Sequence, residues 1–237
     1  MGSRSLYVRR AVFALGTLAT LGGAGGAAQA QVPPAPSELA QYQGLFAAAL
    51  ANEVAHIRAL ISRGDQPSVR DGYQRTPLHV AAYFARHEAM RALVAGGADA
   101  NALEHDRYDI VTIAAVANDV PTLKLALELG CKATNITSRY DGTALIAAAH
   151  LGHAEVVQTL IRAGAPLNHV NKLHWTALIE SIVLGNGGTQ HTLTLNYLVA
   201  AGAHLQLADR SGATPLALAR SRGYRDMIAI LEKAGAR

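Results

Sequence analysis

Short apolar runs recur along the chain between polar or glycine-containing segments, and this pattern predicts helices that come in pairs. The run Leu78-His79-Val80-Ala81-Ala82 predicts a short first helix, whose alanines allow neighbouring helices to approach closely. The runs 90–94 and 156–161 predict second helices. Residues 38–237 are therefore expected to fold as a series of helix pairs.

Glycines recur at a regular interval, which indicates an internal repeat. Their spacings are 33, 33, 34, 38 and 33 residues along the series Gly64, Gly97, Gly130, Gly164, Gly202 and Gly235. A second series with the same period lies upstream: Thr76-Pro77-Leu78-His79, Thr143-Ala144-Leu145, Thr176-Ala177-Leu178 and Thr214-Pro215-Leu216. Two signals that share one period predict a repeat architecture.

Each repeated residue has a physical role at a helix end. A threonine before the first helix can accept a hydrogen bond from a backbone N–H that lacks a helical partner. A proline at the next position loses nothing, because its missing N–H would be unpaired there. The glycine is expected to end the second helix in the left-handed conformation, which other residues adopt only at a cost.

Three segments together resemble the ankyrin repeat: Thr76–Ala82, Gly97–Asn101 and Gly152–Val157. The resemblance implies an all-α repeat solenoid of six helix–turn–helix units with projecting β-turn loops, and a protein that works by binding another protein. It also implies that His79 ties neighbouring repeats together by hydrogen bonds. The six units are 38–70, 71–103, 104–137, 138–170, 171–208 and 209–237.

Several units depart from this pattern. In the third unit, Asp109 replaces the threonine and can still cap the first helix. The fifth unit carries five extra residues, Asn186–Gln190. Since insertions in repeat proteins map to loops, we expect them to lengthen the connection between two helices at little cost in stability. The first and last units carry polar residues that suit the ends of a solenoid.

Residues 1–30 have the features of a secretory signal peptide. The basic pair Arg9-Arg10 precedes an apolar stretch over 11–21, and Ala28-Gln29-Ala30 forms an A-x-A cleavage pattern. Residues 31–37 then form a proline-rich spacer. We expect the remaining chain to be periplasmic or secreted, with no membrane span after removal of the signal peptide. Export by the Sec or by the twin-arginine route stays open.

The charge balance argues against nucleic-acid binding. The chain has 21 basic and 17 acidic residues and a pI of about 9.4. Three of the basic residues and none of the acidic ones lie within the signal peptide, so the rest of the chain is close to neutral. Proteins that bind phosphate backbones usually carry a strong basic excess or a clustered basic stripe. We therefore expect another protein as the partner, and no nucleic acid.

The sequence lacks the common patterns of catalysis and cofactor binding. It has no nucleophile elbow, no phosphate-binding loop with a following lysine, and no dinucleotide-binding glycine pattern after a strand. Cys131 is the single cysteine and is expected to be a half-buried core residue. His150 and His153 leave a metal site open as an alternative, although no third ligand has a predictable position. We predict a non-enzymatic protein without cofactor or metal.

The remaining candidate site is a surface made by the loops and the solvent-facing side of each first helix, which is the concave side of such a solenoid. Aromatic rings beside arginine and histidine have the composition of interaction hot spots. The candidate partner-binding residues are Tyr73, Arg75, Tyr83, Phe84, His105, Tyr108, Arg139, Tyr140, His150, Lys172, Trp175, Arg210 and Arg222. The alternative for each ring is packing between neighbouring loops.

These observations favour an exported, monomeric scaffold that binds another protein on its concave side. Two alternatives stay open. The chain could protect or assemble another exported enzyme, or it could bind a metal through histidines.

Overall fold

The structure, a computed structural model, describes residues 32–237 as thirteen helices. The helices are α1 Pro36–Leu39, α2 Gly44–Ala51, α3 Val54–Ser62, α4 Pro77–Tyr83, α5 His87–Ala95, α6 Ile110–Val116, α7 Val120–Glu128, α8 Ala144–Leu151, α9 Ala154–Arg162, α10 Ala177–Val183, α11 Thr189–Ala200, α12 Pro215–Ser221 and α13 Arg225–Lys233. Within these residues the one β-type pairing is an isolated bridge between Thr137 and Gly142. The expected signal peptide, 1–30, lies outside the described residues.

Helices α2 to α13 form six pairs that stack side by side, which confirms the expected all-α repeat solenoid. The first helices pack in succession, α2 on α4, then α6, α8, α10 and α12. The second helices form another layer, as in the contacts of α3 with α5 and of α11 with α13. Buried leucine, isoleucine and alanine fill the space between the layers. No helix in residues 32–237 is both long and apolar enough to cross a bilayer.

The predicted caps are present at the first helices. The hydroxyls of Thr76, Thr143, Thr176 and Thr214 each accept a hydrogen bond from the backbone N–H three residues later, at 3.2–3.4 Å. Asp109 caps α6 in the same way, with Oδ1 2.7 Å from the N–H of Thr112. Each cap satisfies one of the N–H groups that a helix start leaves unpaired. The expectation that aspartate replaces threonine in the third unit is confirmed.

The repeat glycines end the second helices as predicted. All six have positive φ, between 79° and 104°. The residue after each glycine donates its N–H to the carbonyl five residues earlier, as Ala98 does to Leu93 at 2.9 Å. This geometry satisfies carbonyls that the helix end leaves free, and it turns the chain toward the next unit.

Side chains near the start of the second helices bind carbonyls in, or just after, the last turn of the preceding unit's first helix. Three of the acceptors, in Leu50, Ala115 and His150, lie in that last turn, where carbonyls lack helical partners. The fourth, in Gly185, follows α10. We call these four hydrogen bonds the seam bonds: Arg86 Nε to Leu50 O at 2.8 Å, His153 Nδ1 to Ala115 O at 2.9 Å, His191 Nε2 to His150 O at 2.9 Å, and Tyr224 Oη to Gly185 O at 2.9 Å.

His79 is buried and links the second and third units, as expected. The N–H of Thr76 donates to its Nδ1 at 3.1 Å, so Nε2 carries the proton and donates to the carbonyl of Tyr108 at 3.2 Å. Burial lowers the pKa of His79 to about 4, although the bond to Tyr108 acts in the opposite direction. The ring is therefore neutral at neutral pH, when both of its nitrogens are hydrogen-bonded.

The extra residues of the fifth unit lengthen the connection between its helices, as expected, but they also lengthen α11 and are packed against the sixth unit. The connection 184–188 has five residues, against three (84–86) in the second unit, and α11 has 12 residues, against 9 in α5. Gly187, with φ of 69°, lies under the ring of Tyr224, where a Cβ would come within 2.5 Å of Cδ1. The insertion is thus a structural element against which the sixth unit docks.

Candidate protein-interaction surface

Each unit from the second to the sixth begins with a five-residue turn before its first helix, here called a tip. The side chain of the first tip residue accepts hydrogen bonds from the backbone N–H groups of the third and fifth residues, as Asp71 does from Tyr73 and Arg75 at 2.9 Å. The same role falls to Glu104, Ser138, Asn171 and Asp209. The five tips are 71–75, 104–108, 138–142, 171–175 and 209–213.

Neighbouring tips are joined by hydrogen bonds. The N–H of His105 donates to Tyr73 O at 3.0 Å, and the N–H of Lys172 donates to Tyr140 O at 2.8 Å. A weaker bond of 3.4 Å joins Ser138 N to Arg107 O. Between the last two tips, Arg210 Nη2 reaches Lys172 O at 3.1 Å. The tips therefore form a connected row whose shape exists before any partner binds.

In the ion pairs of the tip row the basic side chains are more exposed than the acidic ones. Arg139 contacts Asp106 at 2.7 Å, and the side chain of Arg139 is 55% exposed while that of Asp106 is 9% exposed. Asp141 lies between Arg107 at 2.9 Å and Lys172 at 3.1 Å. The hydrogen bond from Lys172, and then the charge of Arg107, hold the pKa of Asp141 below its usual value. The outermost groups of this row are therefore cationic.

Tyr73 is held in place by one of these acids. Tyr73 Oη donates to Asp106 Oδ2 at 2.7 Å, and its ring centroid lies 5.0 Å from that of His105. The hydrogen bond to Asp106, together with burial, raises the pKa of Tyr73 to about 12. Tyr73, Tyr108, Tyr140 and Trp175 are all half-buried. Each ring thus contacts its own scaffold on one side and solvent on the other.

A buried carboxyl lies on α10, beside the tip of its own unit. Glu180 Oε1 accepts a hydrogen bond from Asn171 at 2.8 Å, and Oε2 lies 3.6 Å from His150 Nδ1. Burial raises the pKa of Glu180 to about 7, and the bond from Asn171 offsets this only in part. Burial and two neighbouring histidines lower the pKa of His150. Glu180 therefore changes from neutral to anionic as the pH rises through about 7, beside a histidine whose burial favours its neutral form.

The predicted partner-binding residues occupy three environments. The exposed ones are His105, Arg139, Lys172, Arg210 and Arg222, and the half-buried ones are Tyr73, Tyr83, Phe84, Tyr108, Tyr140, His150 and Trp175. The assignment of Arg75 to this surface is wrong, because its side chain is 1% exposed and is bound by Asp71 and Glu38. Arg222 follows α12 and does not belong to a tip.

Sequence reasoning missed the acids that organise the surface. Asp71, Glu104 and Asp141 hold the tips, and Glu180 lies behind them. Asp71, Glu104 and Asp209 share their tip position with Ser138 and Asn171 at the repeat spacing, so the period itself could have identified this position as an acceptor. Glu38 has no counterpart in that series. Its role depends on a contact across 37 residues of sequence.

The residues suggested for a metal site have other partners. His153 donates to Ala115 O in a seam bond, and His150 faces Glu180. Within residues 32–237 no three histidine, cysteine, aspartate or glutamate side chains come together as metal ligands. Cys131 is buried rather than half-buried, and burial raises the pKa of its thiol, which makes it unreactive.

Family models described as ankyrin repeats match residues 110–209, in three copies, and residues 73–102. The ankyrin repeat protein YahD of Escherichia coli K12 is 29% identical over 194 residues, which cover 80% of this chain and 94% of YahD. An ankyrin repeat domain of known structure from Acinetobacter baumannii is 40% identical, with a TM-score of 0.76, over 81% of this chain and 98% of that one. The ankyrin repeat domain of Bcl-3, described as a member of the IkappaB protein family, is 25% identical with a TM-score of 0.74 over 83% and 88%.

Proposed function

The chain belongs to the ankyrin repeat family, and on that premise we propose that it is an exported, non-enzymatic scaffold that binds a protein on its concave side. The coarse part of this function, interaction with another protein, is typical of the family. The finer part concerns the binding face, the chemistry of the partner and the compartment. Each of these rests on its own observation.

The tip row is the observation that carries the proposal. Arg139, Lys172 and Arg210 are exposed on consecutive tips, while Asp106 is buried and Asp141 is held between two bases. Half-buried rings lie among these cations. Aromatic and arginine side chains dominate interaction hot spots, since they combine apolar area with directed hydrogen bonds. A partner with acidic side chains and an apolar segment fits this surface.

The second helices differ from the tips in charge. Their exposed side chains carry both signs, for example Arg91 and Glu128, which pair with each other at 3.4 Å. A surface of mixed sign offers no preference for an acidic partner. This contrast supports the tip side, rather than the second helices, as the binding face.

The exported location rests on the sequence of the first thirty residues. The pair Arg9-Arg10, the apolar stretch and Ala28-Gln29-Ala30 support cleavage after Ala30 and a periplasmic or secreted product. Intact-mass measurement of protein recovered from outside the cytoplasm is expected to give an N-terminus at Gln31. A recovered product that retains Arg9 and Arg10 would contradict export with cleavage.

The binding face can be tested with a photoreactive residue in place of Trp175. In the native compartment, position 175 is expected to crosslink a protein, whereas the matched control position Glu155, exposed on α9, is not. An exported enzyme among the products would indicate the protective or assembly role. Equal crosslinking at both positions would contradict the concave-side assignment.

Trp175→Ala then measures the contribution of one ring to binding. We expect a loss of about 2 kcal/mol or more in binding free energy, as for a hot spot. The free energy of unfolding should change by much less than the ~3–5 kcal/mol typical of a fully buried ring, because Trp175 is half-buried. Isothermal titration and urea unfolding separate the two effects. A variant that loses stability but keeps its affinity would show that the ring only packs.

A further inference from the structure

Arg75 is a buried cation whose hydrogen bonds are incomplete. Its Nε donates to Asp71 Oδ2 at 2.7 Å, and its Nη2 donates to Glu38. The guanidinium also lies 5.1 Å from the centroid of the Tyr73 ring. Nη1 is buried and has no hydrogen-bond partner among residues 32–237. An unpaired buried donor is costly, so this position is one where a better ligand would gain free energy.

The segment that supplies Glu38 is short and weakly held. Helix α1 has four residues, none of which is buried, and a single helical turn has little stability of its own. Between residues 32 and 39, Pro34 is the one buried residue. Glu38 is 40% exposed even though it binds the buried arginine. The attachment of this segment therefore depends mainly on Pro34 and on the contact between Glu38 and Arg75.

Glu38 uses only half of its carboxylate on Arg75. Its Oε1 accepts from Nη2, while its Oε2 accepts from the N–H of Ala35 at 2.6 Å within α1. Arginine and carboxylate bind most strongly when two parallel N–H groups meet both oxygens. Glu38 therefore gives Arg75 one oxygen and leaves Nη1 unpaired. A carboxylate that is not bound to the N–H of Ala35 has both oxygens available for the two Nη groups.

We propose that Arg75 is a second binding site, for a carboxylate on an extended acidic segment of a partner protein, which Glu38 occupies as an internal ligand. When α1 lifts, the partner's carboxylate takes both Nη1 and Nη2, while Asp71 keeps Nε. Asp71 and Tyr42 support the site from within: Tyr42 Oη donates to Asp71 Oδ2 at 2.7 Å. Burial works against ionisation of Asp71, but the bonds from Tyr42 and Arg75 outweigh it and hold its pKa below the usual value. The site thus keeps its shape when Glu38 leaves.

This site is separate from the exposed cations of the tip row, so the two proposals fail independently. Loss of crosslinking at position 175 bears on the tip row alone. The Arg75 site is probed with a fluorescent peptide of residues 32–42 of this chain, added to the full chain and followed by anisotropy. The peptide presents the same carboxylate without the covalent link.

The decisive variant is Glu38→Gln in the full chain. Glu38 in the chain competes with the added peptide for Arg75, and a tethered ligand acts at an effective concentration on the order of millimolar. Removal of the charge of Glu38 from the chain is therefore expected to tighten peptide binding by about tenfold or more. Glu53→Gln is the matched control, since Glu53 is exposed in the same unit and contacts only His56 among the described side chains. The control is expected to bind the peptide as weakly as the unaltered chain. A peptide with Glu38→Gln is expected not to bind either variant.

Three results would overturn the proposal. The first is equal peptide affinity for the unaltered chain and Glu38→Gln. The second is equal affinity of the peptide with and without its own Glu38→Gln change. The third is loss of helical circular dichroism in Glu38→Gln, which would make Glu38 an obligatory part of the fold rather than a replaceable ligand.

Discussion

Arg75 and Arg139 are both tip arginines bound to an aspartate, yet they lie in opposite environments. Arg75 is 1% exposed and binds Asp71 and Glu38, whereas Arg139 is 55% exposed and binds Asp106 alone. The repeat contributes one partner in each case. The additional partner of Arg75 comes from α1, which no other unit has. Residue type alone therefore does not decide the role of a tip arginine. Arg75 is the fifth residue of its tip and Arg139 the second, and only Arg75 has a neighbouring segment, α1, that supplies a further partner.

Loss of Arg75 and loss of Arg139 are therefore expected to change the free energy of unfolding by different amounts. Water cannot replace the lost partner of a buried charge, so removal of one member of a buried pair leaves the other uncompensated. An exposed pair is surrounded by water and salt, so its removal changes little. Equal losses in the free energy of unfolding for matched variants at Arg75 and at Arg139 would contradict this difference.

Arg75→Ala is expected to have the largest effect. It leaves Asp71, whose side chain is 10% exposed, without its cation and removes the contact of α1, so we expect a loss of about 3–5 kcal/mol in the free energy of unfolding. Urea denaturation followed by circular dichroism measures this loss. The comparison fails if Arg75→Ala unfolds at the same urea concentration as the unaltered chain.

Glu180 is a buried carboxyl that, unlike Asp71 and Asp106, has no arginine partner among the described residues. Glu180→Gln therefore tests the cost of burying a carboxyl without an arginine. The pKa of Glu180, about 7, lies above the usual 4.5, so the folded state retains a proton that the unfolded state releases. The stability that Glu180 contributes is therefore present below pH 4.5 and is lost as the pH rises through 7. Glutamine does not titrate. The variant should gain about 2–3 kcal/mol over the unaltered chain between pH 4.5 and pH 8.5.

Urea unfolding at several pH values measures this gain, and other titrating groups cancel because both proteins contain them. Glu155→Gln is the control, since Glu155 is exposed on α9. A stability difference between Glu180→Gln and the unaltered chain that stays constant with pH would contradict the raised pKa.

Arg139→Ala should have the smallest effect on stability, about 1 kcal/mol or less, because its side chain is largely solvated. Its effect on partner binding should be larger at low salt than at high salt, since charge attraction is screened. Unfolding and binding at 50 mM and at 500 mM salt test both statements (the concentrations span about a threefold change in Debye length). A large stability loss would place Arg139 in the same class as Arg75.

The parts of the fold that depend on local chemistry could be predicted from the sequence. The threonine caps, Asp109 and the repeat glycines act within a few residues of their own positions, so the period was sufficient to identify them. The same reasoning predicted exposed rings and bases around Arg139 and Trp175, because tips are surface turns. The repeat pattern does not show which group each ring contacts, so the binding of a partner by these rings stays a prediction.

The misses involve contacts that the period does not encode. Glu38 reaches Arg75 from outside the repeats, so nothing in the second unit indicates that Arg75 is covered. In the fifth unit, Gly187 and Gly188 suggested a loop, but Gly188 starts a helix at Thr189 and Gly187 makes room for Tyr224. Both features depend on side chains more than 35 residues away in sequence.

The seam bonds give the chain a direction of assembly. The ends of α2, α6 and α8, and Gly185 after α10, receive a side-chain hydrogen bond from Arg86, His153, His191 or Tyr224 of the next unit. At four of the five junctions between units, a polypeptide that emerges from its N-terminus therefore has an unmet acceptor at its growing edge until the next unit arrives. Nascent chains of this protein should consequently gain protease resistance in steps of one unit, each step lagging synthesis by the length of the unit that follows.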